Sequence, residues 1–237
     1  MIVDTTFLLS KEVEMELHLF QEILCVLMGL SVFGLSLKMY RQNRELKSLF
    51  WFSTWGALMG GLTLVHILFS YFSDNPSFWI TFTYLPERIA DPVIVMLCVY
   101  SGNNGHSFEK RFKILKLTPL MYALVCVYGS LLCPMMIRDG MLIGRPQALL
   151  SVVVAAIIFG RMIDTYSAWG RILKWQVCAS MISGIVIMFS TKLFDTAFVI
   201  SHNCKMVSYI IVLNCSLMLY SHNCKKASEV SRVTSPE

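Results

Sequence analysis

The sequence predicts an all-α, polytopic membrane protein that forms a bundle of seven transmembrane helices. Hydrophobic residues make up 56% of the 237-residue chain and charged residues only 15%, whereas a soluble domain carries about 25% charge. Seven apolar stretches are long enough to cross a bilayer. Short segments rich in Asn, Asp, Gly and Pro separate several of these stretches, as expected for tight connections between helices.

The seven stretches define the boundaries of the predicted domain. We place the spans at about 17–40, 48–72, 78–100, 115–136, 147–163, 172–190 and 194–220. The chain then divides into a short N-terminal segment (1–16), a transmembrane domain (17–220) and a polar tail (221–237) that we expect to be disordered. The N-terminal segment contains several acids and no basic region, so we predict no cleavable signal peptide.

Lysine and arginine are distributed unequally between the two sides of the predicted bundle. One side collects the basic residues at 38–47, 110–116, 161–174 and 225–232, whereas the other has far fewer, among them Lys11, Arg138 and Arg145. Basic residues in short loops mark the cytoplasmic side. We therefore predict a multi-pass membrane protein with its N-terminus outside and its C-terminus in the cytoplasm.

Composition also limits the partners and the redox chemistry. The lipid bilayer is the expected partner, a homo-oligomer is left open, and we expect no nucleic-acid binding. Most of the eight cysteines lie in apolar spans, where a free cysteine behaves as a small hydrophobe. The chain has no Cys-x-x-Cys motif, so we predict neither a disulfide framework nor a metal site built from cysteines.

The most informative residue is Lys205, near the middle of the seventh span. If the helix began after Lys205, the remaining 15 residues up to Tyr220 would span only ~22 Å, less than the ~30 Å hydrocarbon core. The helix therefore begins near Phe194 and carries the lysine into the membrane. A charged side chain there costs at least ~2.5 kcal/mol, and such residues usually mark a function.

Asp91 on the third span is the predicted partner of this lysine. Asp91 lies ~20 Å from the outer end of its span, counted from Phe78, and Lys205 lies ~16 Å from the outer end of its own. Arg88 shares a helix face with Asp91. The pair has two interpretations: a buried ion pair that fixes helix register, or a desolvated amine that forms a Schiff base with an aldehyde, whose counter-ion is Asp91.

The second interpretation resembles the microbial rhodopsins, which have seven helices, an Arg-x-x-Asp motif on the third and a lysine in the middle of the seventh. Among them the chain is most similar to the heliorhodopsins. Three features carry this similarity: Ser201 four residues before Lys205, His18-x-x-Gln21 on the first span, and His66 on the second.

The resemblance implies a light-absorbing retinal protein, either a photoreceptor or a light-gated ion conductance, and not an enzyme. It implies that Lys205 binds retinal, that Asp91 is the counter-ion and that Ser201 lies beside the Schiff base. The other cofactor-binding candidates are Arg88, His18, His66 and Tyr209. Outward proton pumps of this type carry a threonine and a carboxylic acid four and eleven positions after the counter-ion. Here these positions hold Val95 and Gly102, which disfavours an outward proton pump.

Two alternatives stay open. His66, Asp91 and His202 lie on spans two, three and seven, which is loosely similar to the zinc ligands of the alkaline ceramidase and adiponectin-receptor hydrolases and implies a zinc-dependent intramembrane hydrolase. The second histidine expected on span seven is replaced by Met206. The other alternative is a non-catalytic multi-pass membrane protein, in which the buried charges serve packing alone.

Overall fold

A computed structural model of the chain describes residues 11–72, 76–102, 136–138, 141–143, 145–162, 168–190 and 196–234. These residues form six helices and one small β-hairpin. In chain order the elements are α1 (Lys11–Gln42), α2 (Lys47–Phe72), α3 (Pro76–Gly102), β1 (Met136–Arg138), β2 (Met141–Ile143), α4 (Arg145–Met162), α5 (Ala168–Ile187) and α6 (Thr196–Thr234).

The helices correspond to six of the seven predicted spans. The predicted fourth span lies, up to residue 135, outside the described residues, so a count of seven helices is not established. Within the described residues, three helical segments are long and apolar enough to cross a membrane: Glu16–Gln42, Lys47–Phe69 and Thr196–His222. The segment Ala148–Met162 is apolar but shorter. The prediction of a helical protein with membrane-spanning segments is therefore confirmed, by the length and composition of these helices.

Two local features differ from the sequence prediction. The antiparallel hairpin β1–β2, which pairs Met136 with Ile143, adds two short strands to the predicted all-α fold. Helix α6 continues to Thr234, so the tail expected to be disordered is helical up to that residue. An uninterrupted helix satisfies the backbone hydrogen bonds of this polar segment without a turn.

The packing order of the helices explains which side chains can meet. Among the described elements, α1 packs between α2 and α6, α5 packs between α4 and α6, and α3 contacts α2, α4 and α5. Contacts of His18 with Tyr71 and His202, of His66 with Thr83 and of Ser183 with Ser201 show the directions of the helices. Helices α1, α3 and α6 begin at one end of the bundle, which we call the N-terminal side, and α2 and α5 end there. Side chains of α1, α2, α3, α5 and α6 can converge in the interior.

Close packing of α1 against α2 depends on glycines. A Cβ atom added to Gly29 would lie 2.8 Å from the backbone nitrogen of Gly60, and one added to Gly56 would overlap the backbone of Phe33. Membrane helices use small residues in this way, because van der Waals contact between backbones replaces the hydrophobic effect as the attraction between helices.

The interior of the bundle is divided along its axis. Away from the N-terminal side, the buried residues are mainly apolar and include Val32, Phe52, Val95, Val99 and Val212. Large apolar side chains such as Leu27, Leu68 and Ile157 point outward and are exposed, as expected for a surface that faces lipid. The buried charged residues lie in the other half, and they form the candidate site.

Candidate functional site

Lys205 is buried inside the bundle, as the sequence predicted, with 5% of its surface exposed. Its ammonium group donates hydrogen bonds to both carboxylate oxygens of Glu22, at 3.0 and 2.8 Å. It also lies 2.8 Å from Oε1 of Glu87. One buried cation thus faces two carboxylates, which come from α1 and α3, and the three helices α1, α3 and α6 meet at this amine.

Both carboxylates are held by further contacts. Glu22 is almost completely buried, with 1% of its surface exposed. Glu87 accepts hydrogen bonds from the hydroxyls of Tyr209 at 2.8 Å and Thr63 at 3.2 Å. These two hydroxyls are also 3.1 Å apart, so α2, α3 and α6 share one small network. Tyr209 lies one helical turn after Lys205, which brings it to the same face of α6.

The predicted ion pair between Asp91 and Lys205 is wrong. Both residues are buried, but the Asp91 carboxylate accepts hydrogen bonds from Trp55 Nε1 (2.7 Å), Gln176 Nε2 (2.6 Å) and Ser180 Oγ (2.5 Å). Asp91 lies one helical turn beyond Glu87, away from the N-terminal side. Donors from α2 and α5 satisfy its charge there, and within the described part of the chain Lys205 forms its ion pairs with the two glutamates.

Arg88 and Ser201, which were predicted to lie beside the lysine, both contact Ser183 on α5. A guanidinium nitrogen of Arg88 donates to the hydroxyl of Ser183, and the guanidinium lies 5.3 Å from the centre of the Tyr84 ring. The hydroxyl of Ser201 lies 2.9 Å from that of Ser183 and also donates to the Ser183 carbonyl at 2.9 Å. Arg88 and Ser201 therefore join α3, α5 and α6 beside the charged cluster.

Three histidines surround Glu22 on the N-terminal side of Lys205. The Nε2 atoms of His18 and His202 lie 3.7 and 3.4 Å from Glu22 Oε1. The rings of His18 and His202 are in edge contact, with centroids 4.5 Å apart, and the His18 and His66 centroids are 6.1 Å apart. The sequence prediction included His18 and His66 but missed their common neighbour Glu22.

The zinc ligands proposed from the sequence do not come together as a group. The cluster of potential ligands in the described residues consists of His18, Glu22 and His66, whose ligand atoms lie within 4.8 Å of one another. Asp91 is held instead by Trp55, Gln176 and Ser180. The predicted ligand set of His66, Asp91 and His202 is therefore wrong.

Of the two missed carboxylates, Glu22 had the clearer signal in the sequence. Glu87 lies nine residues and Asp91 thirteen residues after Phe78, and Lys205 lies eleven residues after Phe194, so the two acids differ equally in depth from the lysine. Glu22 is the one carboxylate between Glu16 and Lys38, and an acid inside an apolar span requires a partner.

Chemically, the site combines an amine, two carboxylates that can exchange protons with it, and imidazoles that can bind protons or metal ions. Such a group of buried titratable side chains is typical of a functional site, although ion pairs that serve structure alone share this feature. Comparison with known proteins identifies no relative: no family model, no curated protein and no solved structure matches this chain.

Proposed function

We propose that the chain binds retinal as a Schiff base on Lys205 and acts as a photoreceptor or a light-gated ion conductance. The observation that carries this proposal is the position of the Lys205 amine, buried within the apolar segment of α6 and in contact with two carboxylates from other helices. A protonated imine inside a membrane requires a nearby negative charge, and this site has two.

The same groups can support formation of the imine. The Lys205 ammonium first transfers a proton to Glu22 or Glu87, since only the free amine is nucleophilic. The free amine of Lys205 would hold retinal by condensation with its aldehyde, with loss of water. The carboxylate that had taken the proton would supply it to the imine nitrogen and would compensate the resulting positive charge.

In this proposal the counter-ion role passes from Asp91 to Glu22 and Glu87, because these two carboxylates contact the amine. Glu22 contacts the amine through both oxygens. Glu87 contributes one oxygen to the amine and accepts two hydroxyl hydrogen bonds. Charge shared between two carboxylates has a functional use: a proton that leaves the imine can be accepted by one of them while the other stays ionised.

Two buried aromatic residues lie beside the amine and are the first candidates for contact with a conjugated chain. The Tyr209 ring centre is 5.9 Å from Lys205 Nζ, and the Trp55 ring packs edge-on against Tyr209 with centroids 4.9 Å apart. Its position beside the amine supports the prediction that Tyr209 contacts the cofactor. Its hydroxyl also fixes Glu87, so it can link the position of the chromophore to the counter-ion.

The position of the polar groups favours exchange of protons with one side of the membrane. The buried histidines and glutamates lie from Lys205 towards the N-terminal side, whereas the described core in the other half is mainly apolar apart from Asp91 and its hydrogen-bond partners. The loop charges predict that the N-terminal side faces outside the cell. An outward pump must take up protons through the cytoplasmic half, so we disfavour this function, in agreement with Val95 and Gly102 on α3.

Reconstitution with all-trans retinal tests the proposal. We expect a visible absorption band that bleaches with hydroxylamine and yields retinal oxime. Lys205→Ala abolishes the band, whereas Lys47→Ala, at an exposed lysine at the start of α2, leaves it unchanged. A wild-type protein that folds, stays colourless and gives no oxime would contradict the proposal. That result would favour a multi-pass membrane protein whose buried charges serve packing alone.

A further inference from the structure

The three histidines near Glu22 come from three different helices and carry a second layer of contacts. Each uses its Nδ1 atom for a hydrogen bond: His18 with the Tyr71 hydroxyl (2.5 Å), His66 with Thr83 Oγ1 (3.0 Å) and His202 with the Phe198 carbonyl oxygen (2.9 Å). Histidines that bind metal ions typically use one ring nitrogen in this way, which orients the other towards the ion.

The contact of His202 fixes its tautomer. A carbonyl oxygen can only accept, so Nδ1 of His202 carries the hydrogen, and the neutral ring has a lone pair on Nε2. This lone pair lies 3.4 Å from Oε1 of Glu22, itself an acceptor. Two acceptors that face each other repel, unless a cation or a proton lies between them.

The spacing of these atoms fits a tetrahedral metal ion. Bonds of ~2.0–2.1 Å from zinc to nitrogen or oxygen place neighbouring ligand atoms ~3.4 Å apart. The distances from Glu22 Oε1 to the Nε2 atoms of His202 and His18 are 3.4 and 3.7 Å. Ligand atoms of His18, Glu22 and His66 lie within 4.8 Å of one another, so modest side-chain rotations bring the set to bonding distance.

The neighbouring lysine does not prevent a cation from binding. When Glu22 turns one oxygen to a metal ion, Lys205 keeps its 2.8 Å contact with Glu87. In the described part of the buried cluster, three carboxylates (Glu22, Glu87 and Asp91) face two basic side chains (Lys205 and Arg88). A positive ion added at Glu22 therefore enters surroundings with an excess of negative charge.

We propose that His18, Glu22 and His66 bind a divalent transition-metal ion with the ligand preference of Zn²⁺, with His202 as the fourth ligand. Imidazole nitrogens and a carboxylate suit zinc, whereas calcium and magnesium prefer oxygen ligands alone. The half-buried His66 gives access from the N-terminal side. Because Glu22 also contacts Lys205, the ion changes the charge that the amine experiences.

Zinc titration of metal-free protein, purified in detergent without retinal, tests this site independently of the proposed pigment. We expect one Zn²⁺ per chain by calorimetry. X-ray absorption should show a nitrogen and oxygen shell at ~2.0–2.1 Å without the ~2.3 Å sulfur shell of a cysteine site. The His18→Gln and His66→Gln variants should each lose at least ~10-fold in affinity, by analogy with the 10–100-fold losses seen for weaker, outer-shell changes.

The matched control is His222→Gln, at an exposed histidine on the same helix as His202, which should bind zinc as the wild type does. Three results would overturn the proposal: no zinc binding by the folded wild type, a sulfur shell, or unchanged affinity in both ligand variants. The X-ray absorption spectrum of the wild type distinguishes nitrogen and oxygen ligands from sulfur ligands even if a variant fails to fold. If the protein binds no zinc but still forms the pigment, a proton shared between His202 and Glu22 would explain their 3.4 Å contact instead.

Discussion

Removing the Glu22 carboxylate should weaken the protein by disrupting the charge balance at Lys205. Breaking a buried ion pair by deleting one partner costs about 3–5 kcal/mol, since an uncompensated charge is left behind. In Glu22→Gln the amine keeps its 2.8 Å contact with Glu87, so the loss should be lower. We expect a decrease in the free energy of unfolding of about 2–3 kcal/mol, below the range for a fully broken pair.

A double-mutant cycle isolates the interaction from the other effects of each change. The variants are Glu22→Gln, Lys205→Met and their combination, and stability is measured by SDS-induced unfolding in mixed micelles. We expect a coupling free energy of at least ~1 kcal/mol, within the range of ~0.5–3 kcal/mol for side chains in direct contact. The combined variant should be more stable than the sum of the single losses predicts, because neither charge is left alone.

Asp91 provides the matched control, because it is also a buried carboxylate but bonds to Trp55, Gln176 and Ser180. The same cycle with Asp91→Asn and Lys205→Met should give a coupling below ~0.5 kcal/mol, as for sites without shared partners. A larger coupling for Asp91 than for Glu22 would refute the reasoning and restore the pairing predicted from the sequence.

Three further predictions concern packing and the counter-ion. Gly56→Ala should lower the free energy of unfolding by about 1–3 kcal/mol through a clash with α1, whereas Gly61→Ala, with open space at its Cβ, should not destabilise; equal effects on SDS unfolding would contradict the predicted α1–α2 contact. Tyr209→Phe should cost about 1.5–3 kcal/mol in the same assay, because Glu87 loses a 2.8 Å charge-assisted hydrogen bond; a neutral change would argue against this bond. In the reconstituted pigment, Glu87→Gln should shift the pH dependence of the visible band and Asp91→Asn should not, as measured by spectrophotometric titration; the reverse order would return the counter-ion role to Asp91.

The position of the lysine could be predicted because it depends on one length comparison. Residues 206–220 cannot cross the hydrocarbon core alone, so Lys205 had to be buried, and the structure confirms this. The membrane character could be predicted for the same reason, since apolar length and composition decide it. Neither depends on how the helices are arranged around each other.

The partner of the lysine depends on helix rotation and neighbour order, which apolar composition does not specify. Glu87 and Asp91 are four residues apart on α3 and share a face, and their depths differ equally from that of Lys205, so the donors on other helices distinguish them. Trp55 and Gln176 bind Asp91. Glu22 was visible as an acid inside the first span, but the packing of α1 against α6, which brings it to the lysine, cannot be read from the local sequence.

The most direct test of the central claim is the site of covalent attachment. Protein reconstituted with retinal is reduced with borohydride, which converts the imine to a stable amine, and the peptides are mapped by mass spectrometry. We predict a retinyl adduct on the peptide containing Lys205. Absence of the adduct from folded protein, or its presence on any other lysine, would contradict the account.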